Sequence, residues 1–418
     1  MMTKLKYFLG LTFFILIQLP GSAQIKSNQK FLKKIGFIDS LYSHNLKDFR
    51  EIYIDLPENY NPSSNTKYPV AYILDGETLL PTVSILQNFY SGGYIPEMIL
   101  IGISNSKNRT RDLTPTKIDS KYGMPFTEEN GQASIFLKFI EEELIPFVEK
   151  KYPVTNYRTL IGHSYGGLFT MHTLINNPKL FANYLAIDPS LDWDNQKIVK
   201  QAKDIFTKNS LKGKSLFMSL GGQLHMQDSK VTLENVMQDT TDYTLFSRAN
   251  IEFSNLIKQN NKNGLAYEWK FYPRDIHGTI SFPSIMDGLI SLFVWYQMED
   301  IDKINSFDTP KEELFRIIKN RDKKLQYHFG YAEPPYPEEL LNVLGYMNMD
   351  MGQPDKAKMY FEFAIEYYPQ SSNAYDSISE FYEKTNDIDN ALKYMIKAHE
   401  KNPNDYYKQR IEKLKKNH

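Results

Sequence analysis

From about residue 50 to residue 272, short runs rich in β-branched and aromatic residues take turns with longer amphipathic ones, and nothing else in the chain restricts its fold as strongly. REIYIDL (50–56), PVAYILD (69–75), MILIGI (98–103), RTLIGH (158–163), NYLAID (183–188), SLFMSL (215–220) and AYEWKFY (266–272) read as strands, and stretches such as ASIFLKFIEEELIPFVEKKY (133–152) read as helices. Strand and helix in alternation predict an α/β fold with a mostly parallel sheet covered on both faces. Ligands of such sheets bind beyond the carboxyl ends of the strands, so chemistry is to be sought in the loops that follow each run.

The alternation is bounded on both sides. Before it, MMTKLKYFLGLTFFILIQLPGSAQ places two lysines ahead of an apolar run and small residues behind it, which predicts an export signal over residues 1–23, cut after Ala23, and a periplasmic or secreted product. The apolar run falls short of the ~20 residues that span a bilayer, so no stable membrane insertion is expected after cleavage. The chain has no cysteine, which removes disulfides, thiol nucleophiles and lipid-modified cysteine from consideration. Lys and Arg total 49 against 50 Asp and Glu, so no field favours nucleic acid or an anionic membrane.

After residue 300 the strand pattern stops. Gly352 and Asn386, Ala357 and Ala391, Tyr360 and Tyr394, Ala364 and Ala398, and Pro369 and Pro403 match at a period of 34 residues, which resembles tetratricopeptide repeats. Two repeats cannot bury a solenoid core alone, so the helical segment EELFRIIKNRDKKLQ (312–326) or the main domain must cover their open end. The expected organisation is a main domain over 24–300, a linker and helical segment over 301–334, and a small all-α repeat region over 335–418. The repeats offer either a protein-binding surface or a plain extension of the core.

Within the α/β region, TLIGHSYGGLFTMH (159–172) places Ser164 between Gly162 and Gly166, where a strand gives way to a helix. This is the context of the G-x-S-x-G nucleophile elbow, whose strained turn exposes the serine and leaves no room for side chains at the flanking positions. The amino end of the following helix stabilises negative charge at the reaction centre. A serine hydroxyl needs a base, and His277 in FYPRDIHGTISFP follows the last strong strand; His225 in GGQLHMQD is the runner-up, and His163 and His172 read as packing groups beside the elbow.

The acid that would orient the imidazole is ambiguous, since GGQLH has no carboxylate at the strand tip where one is usual. Asp239 is favoured, ahead of Asp228, Asp242 and Asp188, while Asp275 reads as a solvated loop charge; a bare Ser-His dyad is the remaining option. The oxyanion requires two fixed N–H donors, one from Tyr165 and one from the "DGE" loop at Gly76 or Glu77. No His/Asp/Glu cluster has metal-ligand spacing and no phosphate-binding fingerprint occurs, so no cofactor or metal is expected.

REIYIDLPENY, YPVAYILDGE, ILIGISNSKNRTRDLTP, FIEEELIPFVEKKYP, GHSYGGL, DPSLDWD and IHGT together resemble, in order over about residues 30–298, the esterase family of the α/β-hydrolase fold that includes esterase D, enterochelin esterase and the mycolyltransferases. The resemblance implies an α/β-hydrolase domain with Ser164 as nucleophile and His277 as base, Tyr165 with Gly76 or Glu77 at the oxyanion, and Trp193 and Arg111 at the edge of a pocket for a small-molecule ester. The expected function is an exported serine esterase working through an acyl-enzyme, on siderophore trilactones, acylated sugars or other small esters. The alternative is a non-catalytic hydrolase-like scaffold that recruits a protein partner through its repeats.

Overall fold

Among the described residues eight strands form one sheet: β1 (Phe37–Ser43), β2 (Asp48–Asp55), β3 (Tyr68–Leu74), β4 (Ile99–Ile103), β7 (Val154–His163), β8 (Asn183–Ile187), β9 (Ser215–Gly221) and β10 (Ala266–Tyr272). The order across the sheet is β1-β2-β4-β3-β7-β8-β9-β10. The β1/β2 and β2/β4 pairs are antiparallel and every later pair is parallel, so the sheet is mostly parallel. A separate hairpin pairs β5 (Ser120–Lys121) with β6 (Met124–Pro125). This computed structural model describes residues 34–58, 60–62 and 66–416; the expected export signal lies outside the described residues. Among the described residues no helix is long and apolar enough to cross a membrane.

Period-two alternation sends successive side chains to opposite faces, and both faces are buried. Val70, Tyr72 and Leu74 of β3 join one core while Ala71 and Ile73 join the other; Leu160 and Ile161 of β7 divide in the same way. The helices α1 (Gly76–Tyr90), α2 (Arg109–Leu113), α3 (Ala133–Lys138), α4 (Ile145–Lys151), α5 (Tyr165–Asn176), α6 (Trp193–Lys208), α7 (Leu245–Gln259) and α8 (Ser281–Leu292) supply the covering layers. Leu79 and Ile285, from α1 and α8, lie in one core; Phe136, Phe169 and Phe253, from α3, α5 and α7, lie in the other. The single helix expected over 133–152 carries a π-helical stretch, Phe139–Leu144, between α3 and α4. The strand β1 escaped the sequence reading because it lies at the sheet edge, where Phe37 and Ile38 are exposed and no burial pattern disciplines the sequence.

After α9 (Ile301–Asn305), the long helix α10 (Lys311–Phe329) leads to five antiparallel repeat helices, α11 (Glu338–Asp350), α12 (Pro354–Tyr367), α13 (Ser372–Lys384), α14 (Ile388–Lys401) and α15 (Asp405–Lys416). The paired small residues Ala357, Ala364, Ala391 and Ala398 are fully buried, where their size lets the helices approach. The open end of the repeats is closed by α10. Its Leu314 and Ile318 pack with Leu341, Tyr360 and Phe363, while its Leu325 and Phe329 pack with Tyr157 and Phe293 of the main domain. The helix α10 thus packs on the repeats with one end and on the main domain with the other.

Candidate active site

Ser164 sits between β7 and α5 with φ 60° and ψ −116°, a backbone state unfavourable for any side chain. Strain of this kind persists only where the surroundings enforce it, and here the Ser164 N–H donates to the Ile187 carbonyl (3.0 Å) while its carbonyl accepts from Leu168 and Ser190. A Cβ built on Gly162 would come within 2.3 Å of the Gly166 backbone, so the strand tip and the helix start can cross only with glycine there. The same test at Gly166 gives ordinary contact, 3.4 Å to Leu74 Cβ and 3.5 Å to an Asp75 carboxylate oxygen. The crowding expected on both sides of the serine is thus on one side, and the second measurement shows that the start of α5 abuts the tip of β3.

His277 follows β10 in the loop before α8. Its Nδ1 lies 2.6 Å from Oδ2 of Asp188, whose side chain is 2% exposed. Asp188 ends β8 at φ 42°, and its other oxygen accepts the N–H of Gly221 at the tip of β9 (2.9 Å). The strand tip with no acid of its own therefore supplies a donor that holds the acid of the neighbouring strand. Asp239, favoured from sequence, lies elsewhere: its carboxylate faces His225 Nε2 at 3.6 Å and accepts from the Thr241 N–H, because the loop after β9 folds back on itself. Asp228 likewise accepts from the Lys230 N–H in that loop. His225 faces Asp239 through Nε2, and its Nδ1 accepts from the Gln227 and Asp228 N–H groups. The carboxylate that the fold places against His277 is Asp188.

His163, one residue before the serine, is more than packing. Burial first, and the nearby His277 second, push its pKa down to about 4, so the ring is neutral at ordinary pH. Its Nε2 is 2.9 Å from the His277 carbonyl, which can only accept, so that nitrogen carries the proton and pins the His277 backbone. Phe246 packs edge-on against the His277 ring at 5.4 Å. Burial alone pushes His172 to about 4 as well, inside α5, where Asn176 meets its Nδ1 at 3.0 Å.

Gly76 and Glu77 open α1, and Tyr165 opens α5; as first-turn residues their N–H groups have no carbonyl four residues back within the helix. A Cβ on Gly76 would lie 2.5 Å from Gly102 Cα, so α1 starts pressed against β4. Asp75, left-handed at φ 49°, makes the turn into α1, and Asn105 Oδ1 accepts its N–H at 3.1 Å. Arg109 grips the Asp75 carboxylate with two bonds of 2.8 Å, donates to the His163 carbonyl at 3.1 Å, and lies 5.5 Å from the Tyr165 ring centre. One guanidinium thus ties together the two helix starts on either side of Ser164.

The pocket residues are placed differently from the expectation. Arg111 turns away to pair with the buried Asp112, which also meets Arg50; Arg109 faces the site in its place. Trp193 is buried, donates to the Thr116 carbonyl, and packs edge-on behind Tyr165. The rim is formed by Lys121 of the β5/β6 hairpin, which the sequence reading did not find. Lys121 lies 3.1 Å from Asp192 and within 5.5 Å of the ring centres of Tyr122, Tyr165 and Trp193. Two cavities share Ser164 and His277: one of about 490 Å³ lined also by Lys121, Met226, Tyr243 and Phe246, and one of about 590 Å³ lined also by Glu77, Arg109 and Phe282. Ser190 Oγ lies 3.3 Å from Ser164 Oγ.

Residues 43–249 match the family model described as "Putative esterase", and residues 338–371 and 372–405 each match the tetratricopeptide repeat. The chain carries an esterase-family domain followed by two tetratricopeptide repeats. It is 34% identical to the ferri-bacillibactin esterase BesA of Bacillus subtilis over 36% of this chain and 56% of that protein. It is 33% identical to a siderophore enterobactin esterase of Emericella nidulans over 45% of this chain and 66% of that protein. The chain therefore spans less than two thirds of these curated relatives. An IroE-like serine hydrolase from Shewanella oneidensis superposes with a TM-score of 0.65 at 28% identity, covering 79% of this chain and 99% of that one.

Proposed function

We propose that the protein is an exported serine esterase that cleaves siderophore-type esters through an acyl-enzyme. The observation that carries the reading is the joint placement of a strained serine at a strand-helix turn and a histidine bonded at 2.6 Å to a buried aspartate, both lining the same cavities. Ser164 Oγ attacks the ester carbonyl as His277 Nε2 takes its proton, and Asp188 holds the imidazole in the required tautomer and stabilises the imidazolium. The N–H of Tyr165 and that of Gly76 or Glu77 receive the developing oxyanion, a contribution of roughly 3–4 kcal/mol for each donor. Collapse expels the alkoxide, which takes the proton from His277; water then repeats the cycle on the acyl-enzyme.

Two cavities that meet at the serine suit an ester with a bulky group on each side of the scissile bond. The names of the curated relatives support a siderophore ester within that class. The charged leader residues ahead of an apolar run support export. Fluorophosphonate labelling and p-nitrophenyl ester turnover, measured beside Ser164→Ala and His277→Ala, test the reaction class. Wild type should label and turn over while both variants lose several orders of magnitude; three equally inert proteins would sink the proposal. Hydrolysis of a cyclic tri-ester siderophore against an acylated sugar then tests the substrate.

A further inference from the structure

A third cavity, of about 880 Å³, lies where the main domain meets the repeats. It is lined by Thr155 near the start of β7, by Phe329 at the end of α10 and the segment from Gly330 to Pro334 that follows it, and by Tyr367 to Ser371 at the end of the first repeat. Since β7 runs ten residues from Val154 to His163, this cavity is about 30 Å from Ser164 and belongs to the other end of the sheet.

Its chemistry centres on Glu333. Burial pushes the Glu333 carboxyl up to about 7, and no positive group offsets that effect. Among the described residues Glu333 has no hydrogen-bond or ion-pair partner within contact distance, although several tyrosines stand near. Two of their hydroxyls are committed elsewhere: that of Tyr367 donates to Asp322 (3.0 Å) and that of Tyr368 to the Tyr336 carbonyl (2.9 Å), while the buried Tyr331 hydroxyl makes no hydrogen bond among the described residues. Tyr331 stacks on Phe329 with ring centres 5.1 Å apart. What these residues offer the cavity is aromatic surface. Lys67 also lines it but is exposed and makes no ion pair with Glu333. The charge of Glu333 nevertheless reaches Tyr68, Tyr296, Tyr331 and Tyr368, whose phenols are raised by burial above all and by this carboxylate in addition.

A carboxylate withdrawn from water without a partner is costly, and an organic cation between it and tyrosine rings gains both ion pairing and cation–π attraction. We propose that this seam cavity is a second binding site, selective for an aliphatic ammonium group held between the Glu333 carboxylate and the faces of Tyr331 and Tyr368. Its occupant bridges the main domain and the first repeat, because the lining comes from both. The cation can come from a free amine or from a lysine side chain of a polypeptide, and the chemistry of recognition is shared.

The test is isothermal titration of the full chain at pH 8 with n-butylamine and with N-acetyl-lysine methylamide, using n-butanol as the neutral control. Saturable binding of an amine and none of butanol is expected, with affinity falling at least tenfold in Glu333→Gln while ester turnover at Ser164 is unchanged. Binding to the wild type should also vanish by pH 5, where the carboxyl is protonated, which keeps the test independent of how the variant folds. Tighter binding of the blocked lysine identifies a polypeptide source, and equal or tighter binding of butylamine a free amine. No saturable amine binding, equal binding by Glu333→Gln, or butanol binding as tightly as butylamine overturns the proposal.

Discussion

The Nδ1 atom of His277 lies 2.6 Å from Oδ2 of Asp188, and the other oxygen of that carboxylate accepts the Gly221 N–H, so the acid is held by the tips of two neighbouring strands. Asp188→Asn preserves the shape but offers the imidazole the wrong partner. Its kcat should fall by roughly 10³–10⁴-fold with KM little changed. Asp239→Asn, in a carboxylate that faces His225, should stay within about threefold of wild type, as expected of a surface change away from the chemistry. Steady-state ester hydrolysis by the two variants decides the matter, and the reverse ranking would return the acid to the loop after β9.

Arg109 ties together the starts of α1 and α5, which carry the proposed oxyanion donors. Its guanidinium binds Asp75 with two bonds and His163 with a third, a geometry that a lysine cannot reproduce. Arg109→Lys should lower kcat by about 10–100-fold, the scale of a misplaced oxyanion donor. Affinity for an aryl boronate, which mimics the tetrahedral adduct, should fall in proportion. A rise in KM confined to anionic esters, with boronate affinity intact, would instead make Arg109 a substrate contact.

What the sequence made legible was whatever is local. The turn at Ser164 and the loop position of His277 are legible because a strand-turn-helix context and a loop after a strand are properties of contiguous residues. The pairing of Asp188 with His277 is not legible in the same way, because it depends on β8 and β9 lying side by side and on His277 returning from the end of β10, which are relations between distant segments. Arg109 and Arg111 stand two apart on a five-residue helix, so they face opposite ways, and only the packing against Asp75 or Asp112 distinguishes them. The hairpin carrying Lys121 has two-residue strands, too short to leave a pattern.

The buried histidines lower stability on the acid side. His163 and His172 take up a proton near pH 4 in the folded chain but near 6.5 when unfolded, so the unfolded state binds more protons between those values. The contribution of the two rings is therefore level above about pH 6.5 and falls as pH drops toward 4, by on the order of 2–3 kcal/mol for each ring, while the Glu333 carboxyl, raised by burial to about 7, works in the opposite sense below that value. Urea unfolding at pH 7.5, 5.5 and 4.5 of wild type and of His172→Leu should show a smaller acid-side loss in the variant, by about the contribution of one ring. An unchanged slope in that variant would mean that His172 does not contribute.

The helix α10 belongs to two cores at once, and this couples the esterase domain to its repeats. Leu325 and Phe329 complete an apolar cluster with Tyr157 and Phe293, while Leu314 and Ile318, two to four turns earlier, close the end of the repeats against Leu341 and Phe363. Neither half can lose α10 without exposing leucine and aromatic side chains that are now under 10% exposed. Truncating one side of the helix should therefore weaken both partners. Leu325→Ala and Ile318→Ala should each cost about 2–4 kcal/mol through lost burial and the cavity left behind. Tryptophan fluorescence reports the main domain, because Trp193, Trp269 and Trp295 all precede α10, and far-ultraviolet circular dichroism weights the helical repeats. With a shared helix, both signals should move to lower urea together in either variant. If Ile318→Ala shifted only the circular dichroism transition, the repeats would unfold as a separate unit and α10 would be a tether between two independent bodies.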